Sequence, residues 1–307
     1  MKIKRPNFWL SKNIISYFFY PFSLITFLIN FIKNFSKKKK FSLKTICIGN
    51  INVGGTGKTS LAIEIYKILN KKSKVVFIKK KYQDQNDEIK LLQKNGNIEI
   101  DNNRINALQN AKKKKFKIAI FDDGLQQKNI KYDIKIVCIN SDEGFGNEFL
   151  LPAGPLREST NEIKKHNIAF INGENKNRKL YFKLKSLNKN IKIFEGKYQP
   201  KHLNKLNRRK RYYMFCGIGN PNEFENTLKK YKFNVKFKKI FPDHFNISSN
   251  EVKKLKEFSL KKNLTLITTE KDYLRLNASD RKNINYLSIN LKINNLKEFK
   301  KILSSKL

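Results

Sequence analysis

The chain has 307 residues and a formal net charge of +41, from 66 Lys or Arg against 25 Asp or Glu. That length allows two domains, each burying its own core, and the charge favours anionic surfaces, phospholipid headgroups included; the lysines are nevertheless spread along the whole chain with Asn, Ile and Phe, as an AT-rich coding bias also produces, so no nucleic-acid partner is expected. An odd set of three cysteines, Cys47, Cys138 and Cys216, each within an apolar run, argues against a disulfide framework and a zinc site and fits core thiols in a reducing compartment.

Residues 14–35 (IISYFFYPFSLITFLINFIKNF) carry no charge before Lys33. As a helix of about 22 residues they cover roughly 33 Å, enough to cross a bilayer's hydrocarbon core. Lys2, Lys4, Arg5 and Lys12 precede the run and Lys37 to Lys40 follow it, so the flanks do not decide topology. At about 100° per residue, Lys12, Ser16, Ser23, Thr26, Asn30, Lys33 and Lys37 fall within one quadrant, with Phe19 and Phe27 intruding. The stripe suits a helix lying in the interface, or a spanning helix that packs its polar edge on protein. A soluble core helix is the bland alternative. No small-residue cleavage site follows, which argues against a signal peptide.

Residues 43–61 (LKTICIGNINVGGTGKTSL) read as strand, Gly-rich loop and helix. Glycines let such a loop turn its N–H groups toward an anion, and the new helix adds its positive end. Asn52, Val53, Gly54, Gly55, Thr56, Gly57, Lys58 and Thr59 are the candidate nucleotide cradle, with Lys58 on the β- and γ-phosphates and the Thr59 hydroxyl on Mg²⁺. Asn52 stands where the first glycine of the usual P-loop belongs. A plain strand-to-helix turn is the competing reading.

Residues 74–78 form a second strand and 79–101 a polar, irregular stretch. The strand at 116–121 ends in Asp122-Asp123-Gly124, and carboxylates at such a tip are where a doubly wound sheet puts its chemistry. One would hold a water of the Mg²⁺ shell and its neighbour would take a proton from a substrate hydroxyl; a β-turn is the other reading. A strand at 134–139 leads through Gly144 to Asn147 into LLPAGPLRE, 150–158, whose two prolines forbid a regular element and carry Arg157 on a stiff loop. After a strand at 167–171, a linker is placed at 195–205. The second part alternates again: strands at 212–216, 235–240, 264–268 and 284–289, helices from Glu223 and Ser249, and a last helix. His244, in FPDHF, has either a structural role or an orienting or acid/base one. TTEKD, 268–272, places charges on a loop after a strand.

In that order these motifs resemble the tetraacyldisaccharide 4'-kinase family, the lipid A kinases of Gram-negative inner membranes. The likeness runs over nearly the whole chain: the N-terminal membrane helix, Gly49 to Thr59, DDGLQ at 122–126, FGN with LLPAGPLRE at 145–158, GIGNP at 217–221, Asp243-His244, and TEKD at 269–272. It implies transfer of the ATP γ-phosphate to the 4'-hydroxyl of a tetraacylated glucosamine disaccharide 1-phosphate held in the bilayer, with Mg²⁺, on the cytoplasmic face of the inner membrane. It further implies two α/β domains joined by a hinge, the active site in the cleft between them. Carried over residue by residue, Lys58 and Thr59 cradle phosphate and metal. Asp122 is the candidate general base, Asp123 supports the metal, and Arg157 and Gln126 contact substrate. His244 partners the catalytic Asp, or Glu270 marks that position instead.

The fold expected is α/β: a P-loop NTPase-like doubly wound, mainly parallel sheet (41–200), a smaller C-terminal α/β domain (201–307), and a membrane-associated helix (1–40). The chain departs from the family in Gln127 for His, in Lys79-Lys80-Lys81-Tyr82-Gln83 for Ser-Arg-Gly-Tyr-Gly, in Ser60 for Pro, and in a shortened region where Asp87-Glu88 is the remnant of a Gly-Asp-Glu motif. A membrane-attached P-loop ATPase is the alternative function.

Overall fold

A computed structural model describes residues 6–81, 86–243 and 245–307. The strands are β1 (Lys44–Gly49), β2 (Val75–Lys80), β3 (Ile98–Asp101), β4 (Ile118–Asp122), β5 (Ile134–Asn140), β6 (Ile168–Asn172), β7 (Lys192–Pro200), β8 (Arg211–Cys216), β9 (Asn234–Ile240), β10 (Thr265–Thr269), β11 (Ile284–Leu287) and β12 (Ile289–Ile293). The helices are α1 (Ile14–Phe19), α2 (Ser23–Asn34), α3 (Lys58–Leu69), α4 (Asn86–Asn95), α5 (Arg104–Lys113), α6 (Arg178–Leu187), α7 (Pro221–Lys230), α8 (Ser249–Lys261), α9 (Glu270–Arg275) and α10 (Leu296–Lys306).

Two compact units form, and both are discontinuous in sequence. The first contains residues 6–81, Asn95–Lys197 and Leu291–Leu307. Its sheet has the order β12-β7-β6-β5-β1-β4-β2-β3. Consecutive residues of β1, β4 and β6 are buried on both faces, hence their unbroken Ile, Val, Ala and Phe runs, which parallel strands covered on two sides require. β1 pairs in parallel with β4 on one side and β5 on the other, so the strand order reverses around β1 and the crevice past its end is the expected ligand position. The register Ile48↔Asp122 sets the tip of β4 level with the start of the Gly-rich loop.

Residues 14–34 are helical as expected, but α1 and α2 are joined by a 3-10 turn at Tyr20–Phe22, where Pro21 has no N–H to give. The uncharged part of the polar stripe lies on protein: Ser16 and Ser23 are buried and Thr26 and Asn30 half-buried, while Lys12, Lys33 and Lys37 of the same stripe are exposed, as are Ile14, Phe18, Leu24, Ile25, Leu28, Phe31 and Ile32.

The second unit contains residues 86–94 and Tyr198–Asn290. Its parallel sheet runs β11-β10-β8-β9, around a core of Tyr212, Met214, Phe224, Leu228 and Ile267.

Several expectations need correction. The linker at 195–205 is largely strand β7, because Gly196 lies against the Phe170 ring and Phe194 packs against the Phe299 ring. The single strand at 284–289 is two strands in different sheets, β11 and β12. The contiguous division at 40 and 200 is not the one the chain makes, since α10 returns to the first sheet by burying Phe299 and Leu303. Within the stretch at 79–101, the part from residue 86 onward is regular: Ile89, Leu91 and Leu92 bury one face of α4, and β3 follows; Tyr82 and Gln83 lie outside the described residues.

The three cysteines are free and buried. Burial pushes the Cys47 and Cys216 thiols up to about 12 and raises Cys138 as well. His166 is also buried. Its Nδ1–H donates to the Glu162 carbonyl at 2.8 Å and Nε2 meets no hydrogen-bond partner. Burial holds its pKa down to about 4, against 6.5 ordinarily. Between those values the unfolded chain binds a proton that the fold refuses, so stability is present above pH 6.5 and lost as pH falls toward 4. The expected loss from this one group is about 3 kcal/mol at pH 4. Urea titrations of wild type and His166→Gln at pH 7 and 4 test it, the variant losing less by about that amount.

Candidate active site

Gly54 and Gly57 take φ of +122° and +86°, conformations that a side chain strains. Gly57 delivers the chain into α3, so Lys58 and Thr59 open a helix whose positive end faces the loop. Asn52, in place of the usual glycine, is buried and donates from Nδ2 to the Gly144 carbonyl at 2.7 Å. The Val53 amide donates to Pro155 O at 2.8 Å and the Arg157 amide to Ile51 O at 2.6 Å, which ties the 150–157 loop to the Gly-rich loop. Gln126 Nε2 donates to Asn50 O at 3.1 Å. Gln126, assigned to substrate from the sequence, therefore braces the loop.

Gly49 and Gly124 permit the close fit of the DDGL turn over β1. A Cβ on Gly49 would lie 2.6 Å from Leu125 Cγ, and one on Gly124 2.9 Å from Cys47 Sγ.

The two carboxylates part company at the tip of β4. Asp122 has no exposed surface; its Oδ2 accepts from Thr59 Oγ1 at 3.1 Å and from Lys79 Nζ at 2.8 Å, and its Oδ1 is buried without a hydrogen-bond partner. Asp123, at φ +59°, turns to the open side, 3.7 Å from both Lys58 Nζ and Arg157 Nη1. Arg104 Nη2 donates to the Asp123 carbonyl at 2.7 Å and fixes this turn.

Asp122 is therefore not placed to accept a proton from a substrate hydroxyl, which corrects the role read from the sequence. Sealed between an ammonium and a hydroxyl, it orients Thr59. Lys79, taken from the sequence only as a departure in a polar stretch, belongs to the site. Its signal is an apolar strand ending in Lys79 beside one ending in Asp122, and Ile78 pairs with Phe121 across them. Arg104 was missed with α5.

The residues suit a magnesium nucleotide. Among the described residues no three His, Cys, Asp or Glu gather into a protein-only metal cage. A threonine hydroxyl held by a buried carboxylate, beside a cradle for phosphate, is the arrangement Mg²⁺ takes when phosphates and waters complete its shell.

The second unit carries its own polar cluster, where motifs distant in sequence converge. Arg275 reaches Asp87 at 2.8 Å, Asp272 at 2.7 Å and the Gly217 carbonyl at 2.7 Å. Lys271 pairs with Glu88 at 2.9 Å. Burial raises the Asp272 pKa, against the pull of Arg275. TEKD is not a loop but the cap and start of α9, with Thr269 accepting from the Asp272 amide. Glu270, the alternative partner for a catalytic Asp, is held by Lys94 at 2.6 Å. His244 lies outside the described residues; its neighbour Asp243 acts electrostatically on Lys271 and Arg275.

A Gly-rich loop from a central strand to a helix, Lys58-Thr59 at the helix start and a carboxylate at the adjacent strand tip define a P-loop nucleoside-triphosphate-binding protein. Residues 15–307 match the family described as LpxK, tetraacyldisaccharide-1-P 4'-kinase, and the chain belongs to that family. It is similar to the tetraacyldisaccharide 4'-kinase of Pelagibacter ubique (strain HTCC1062), 43% identical over 301 residues that cover 97% of this chain and 96% of that one. It is also similar to that of Rickettsia canadensis (strain McKiel), 34% identical over 317 residues, covering 96% and 95%. The crystal structure of LpxK from Aquifex aeolicus in complex with ATP shares the fold, with TM-score 0.70 at 22% identity over 95% of this chain and 99% of that one.

Proposed function

We propose that this chain transfers the γ-phosphate of ATP to the 4'-hydroxyl of a tetraacyldisaccharide 1-phosphate lipid, the step that places the second phosphate on the lipid A disaccharide. The observation that carries this reading, in a chain of this family, is the charge arrangement at the β4 tip. Asp122 and Lys79 hold Thr59 from below, and Lys58 and Arg157 flank Asp123 on the open side.

Phosphoryl transfer asks mainly for positioning and charge neutralisation. The loop amides and the N-terminus of α3 bind the triphosphate, Lys58 meets its β- and γ-oxygens, and Arg157 brings a second cation to the transferred group. Thr59 and the carboxylates of Asp122 and Asp123 would hold Mg²⁺, which would supply charge neutralisation for the phosphates. Asp123 keeps Lys58 and Arg157 at the mouth of the loop.

A substrate with four acyl chains leaves the bilayer only at about 0.8 kcal/mol per exposed CH₂, so the enzyme goes to it. The helix Ile14–Asn34 is long and apolar enough to cross a membrane. With its polar edge on protein, its exposed apolar face supports a helix lying in the interface, and the basic residues after it favour anionic headgroups. ATP and three reduced thiols favour the cytoplasmic face of the inner membrane.

The test supplies purified chain with ATP in mixed micelles, with and without the disaccharide 1-phosphate lipid. ADP release is expected to require the acceptor lipid. ADP formed equally well in its absence would make the chain an ATPase and overturn the proposal.

A further inference from the structure

One edge of α2 and one face of the 150–157 loop are joined by a row of side-chain donors. Ser23 Oγ donates to the Leu150 carbonyl at 2.8 Å, Thr26 Oγ1 to Leu151 at 2.8 Å and Asn30 Nδ2 to Arg157 at 2.6 Å. Trp9 Nε1, just before α1, donates to Pro152 at 2.9 Å. The three α2 positions recur at helical spacing, so together they form one edge. The opposite face is apolar and open: Leu28 is 55% exposed and Ile32 68%.

The far side of the same loop meets the nucleotide cradle. The Pro155 carbonyl accepts from Val53, the Arg157 amide donates to Ile51, and Leu156 bridges to Asn52. Residue 157 is held from both directions. Its carbonyl is fixed by Asn30 on the helix, its amide by the P-loop, and its guanidinium reaches toward Asp123. A loop with Pro152 and Pro155 is stiff, so a displacement at one side is carried to the other.

We infer that Ser23, Thr26 and Asn30 are positioning residues that couple the seating of the helix's apolar face in a lipid surface to the placement of Arg157 and the P-loop. The catalytic consequence rests on the kinase reading above; the coupling itself does not. It gives the enzyme a reason to be slow until it sits on the membrane that holds its acceptor. The coupling acts in both directions, as any linkage between two sites must.

The variant Thr26→Val/Asn30→Leu removes two donors, keeps side-chain size and leaves the apolar face intact. Its binding to phosphatidylethanolamine–phosphatidylglycerol vesicles is expected to match wild type, as read by co-sedimentation. With acceptor lipid in those vesicles, kcat is expected to fall about tenfold while KM for ATP stays nearly unchanged, and in an Arg157→Ala background the same pair of changes is expected to cost less than about twofold. Thr26→Ser, which keeps the hydroxyl, is expected to restore most of the loss due to Thr26→Val. Hydrogen exchange gives a readout independent of turnover: vesicles are expected to slow exchange at the Val53 and Arg157 amides in wild type but not in the double variant. Equal losses with and without Arg157, or vesicles that leave those two amides unchanged in wild type, would overturn the coupling. Failure of wild type to phosphorylate the lipid would overturn the kinase reading instead, and the exchange comparison would still decide the coupling.

Discussion

Replacing Lys79 with methionine is expected to destabilise the chain by about 3–5 kcal/mol, because it leaves the Asp122 carboxylate buried and without its counter-charge. Lys79 and Asp122 have no exposed side-chain surface and stand 2.8 Å apart, so water cannot replace the lost partner. Adding Asp122→Asn removes the stranded charge, and the double variant is expected to recover most of that stability while remaining inactive, since Thr59 has then lost the carboxylate that orients it. Urea denaturation of the two single variants and the double variant gives the coupling directly. Additive losses would mean that the ion pair does not hold the floor of the site.

Lys58→Met is expected to behave in the opposite way. The Lys58 ammonium makes only a 3.7 Å contact with Asp123, near the surface, so its loss leaves the melting temperature close to wild type. Removing a fixed positive charge aimed at a transferring phosphoryl group is expected to lower kcat about 10²–10³-fold, or roughly 2.7–4 kcal/mol of transition-state stabilisation. Initial-rate kinetics with saturating ATP, beside thermal melts of the same preparations, test the pair of statements. An unfolded Lys58 variant, or a fully active one, would remove Lys58 from the chemistry. Two lysines that each meet one of two adjacent carboxylates thus serve different ends, Lys79 holding the fold beneath the site and Lys58 meeting the nucleotide.

That contrast marks how far residue patterns carried. The P-loop, the central strands and the carboxylate pair were legible because glycines, unbroken β-branched runs and an abrupt charge at a strand tip each have a local cause. The polar stripe of the N-terminal helix was legible too, down to Ser16, Ser23, Thr26 and Asn30. What local pattern could not reveal depends on contacts distant in sequence. Helices α4 and α5 are dense in Lys and Asn and bury only narrow apolar faces. Residues 86–94 belong to the second unit because Asp87 and Glu88 meet Arg275 and Lys271, and α10 returns to the first sheet through Phe299. The role of Asp122 was misread for the same reason: burial and the left-handed turn at Asp123 separate two adjacent carboxylates that look equivalent in sequence.

The most direct measurement is the ³¹P NMR spectrum of lipid recovered after incubation with this chain and ATP. Transfer to the 4'-hydroxyl predicts a second phosphomonoester signal beside the 1-phosphate, on the distal glucosamine, growing in step with ADP and absent with Lys58→Met. A lipid spectrum that stays unchanged while ATP is converted to ADP and inorganic phosphate would contradict it.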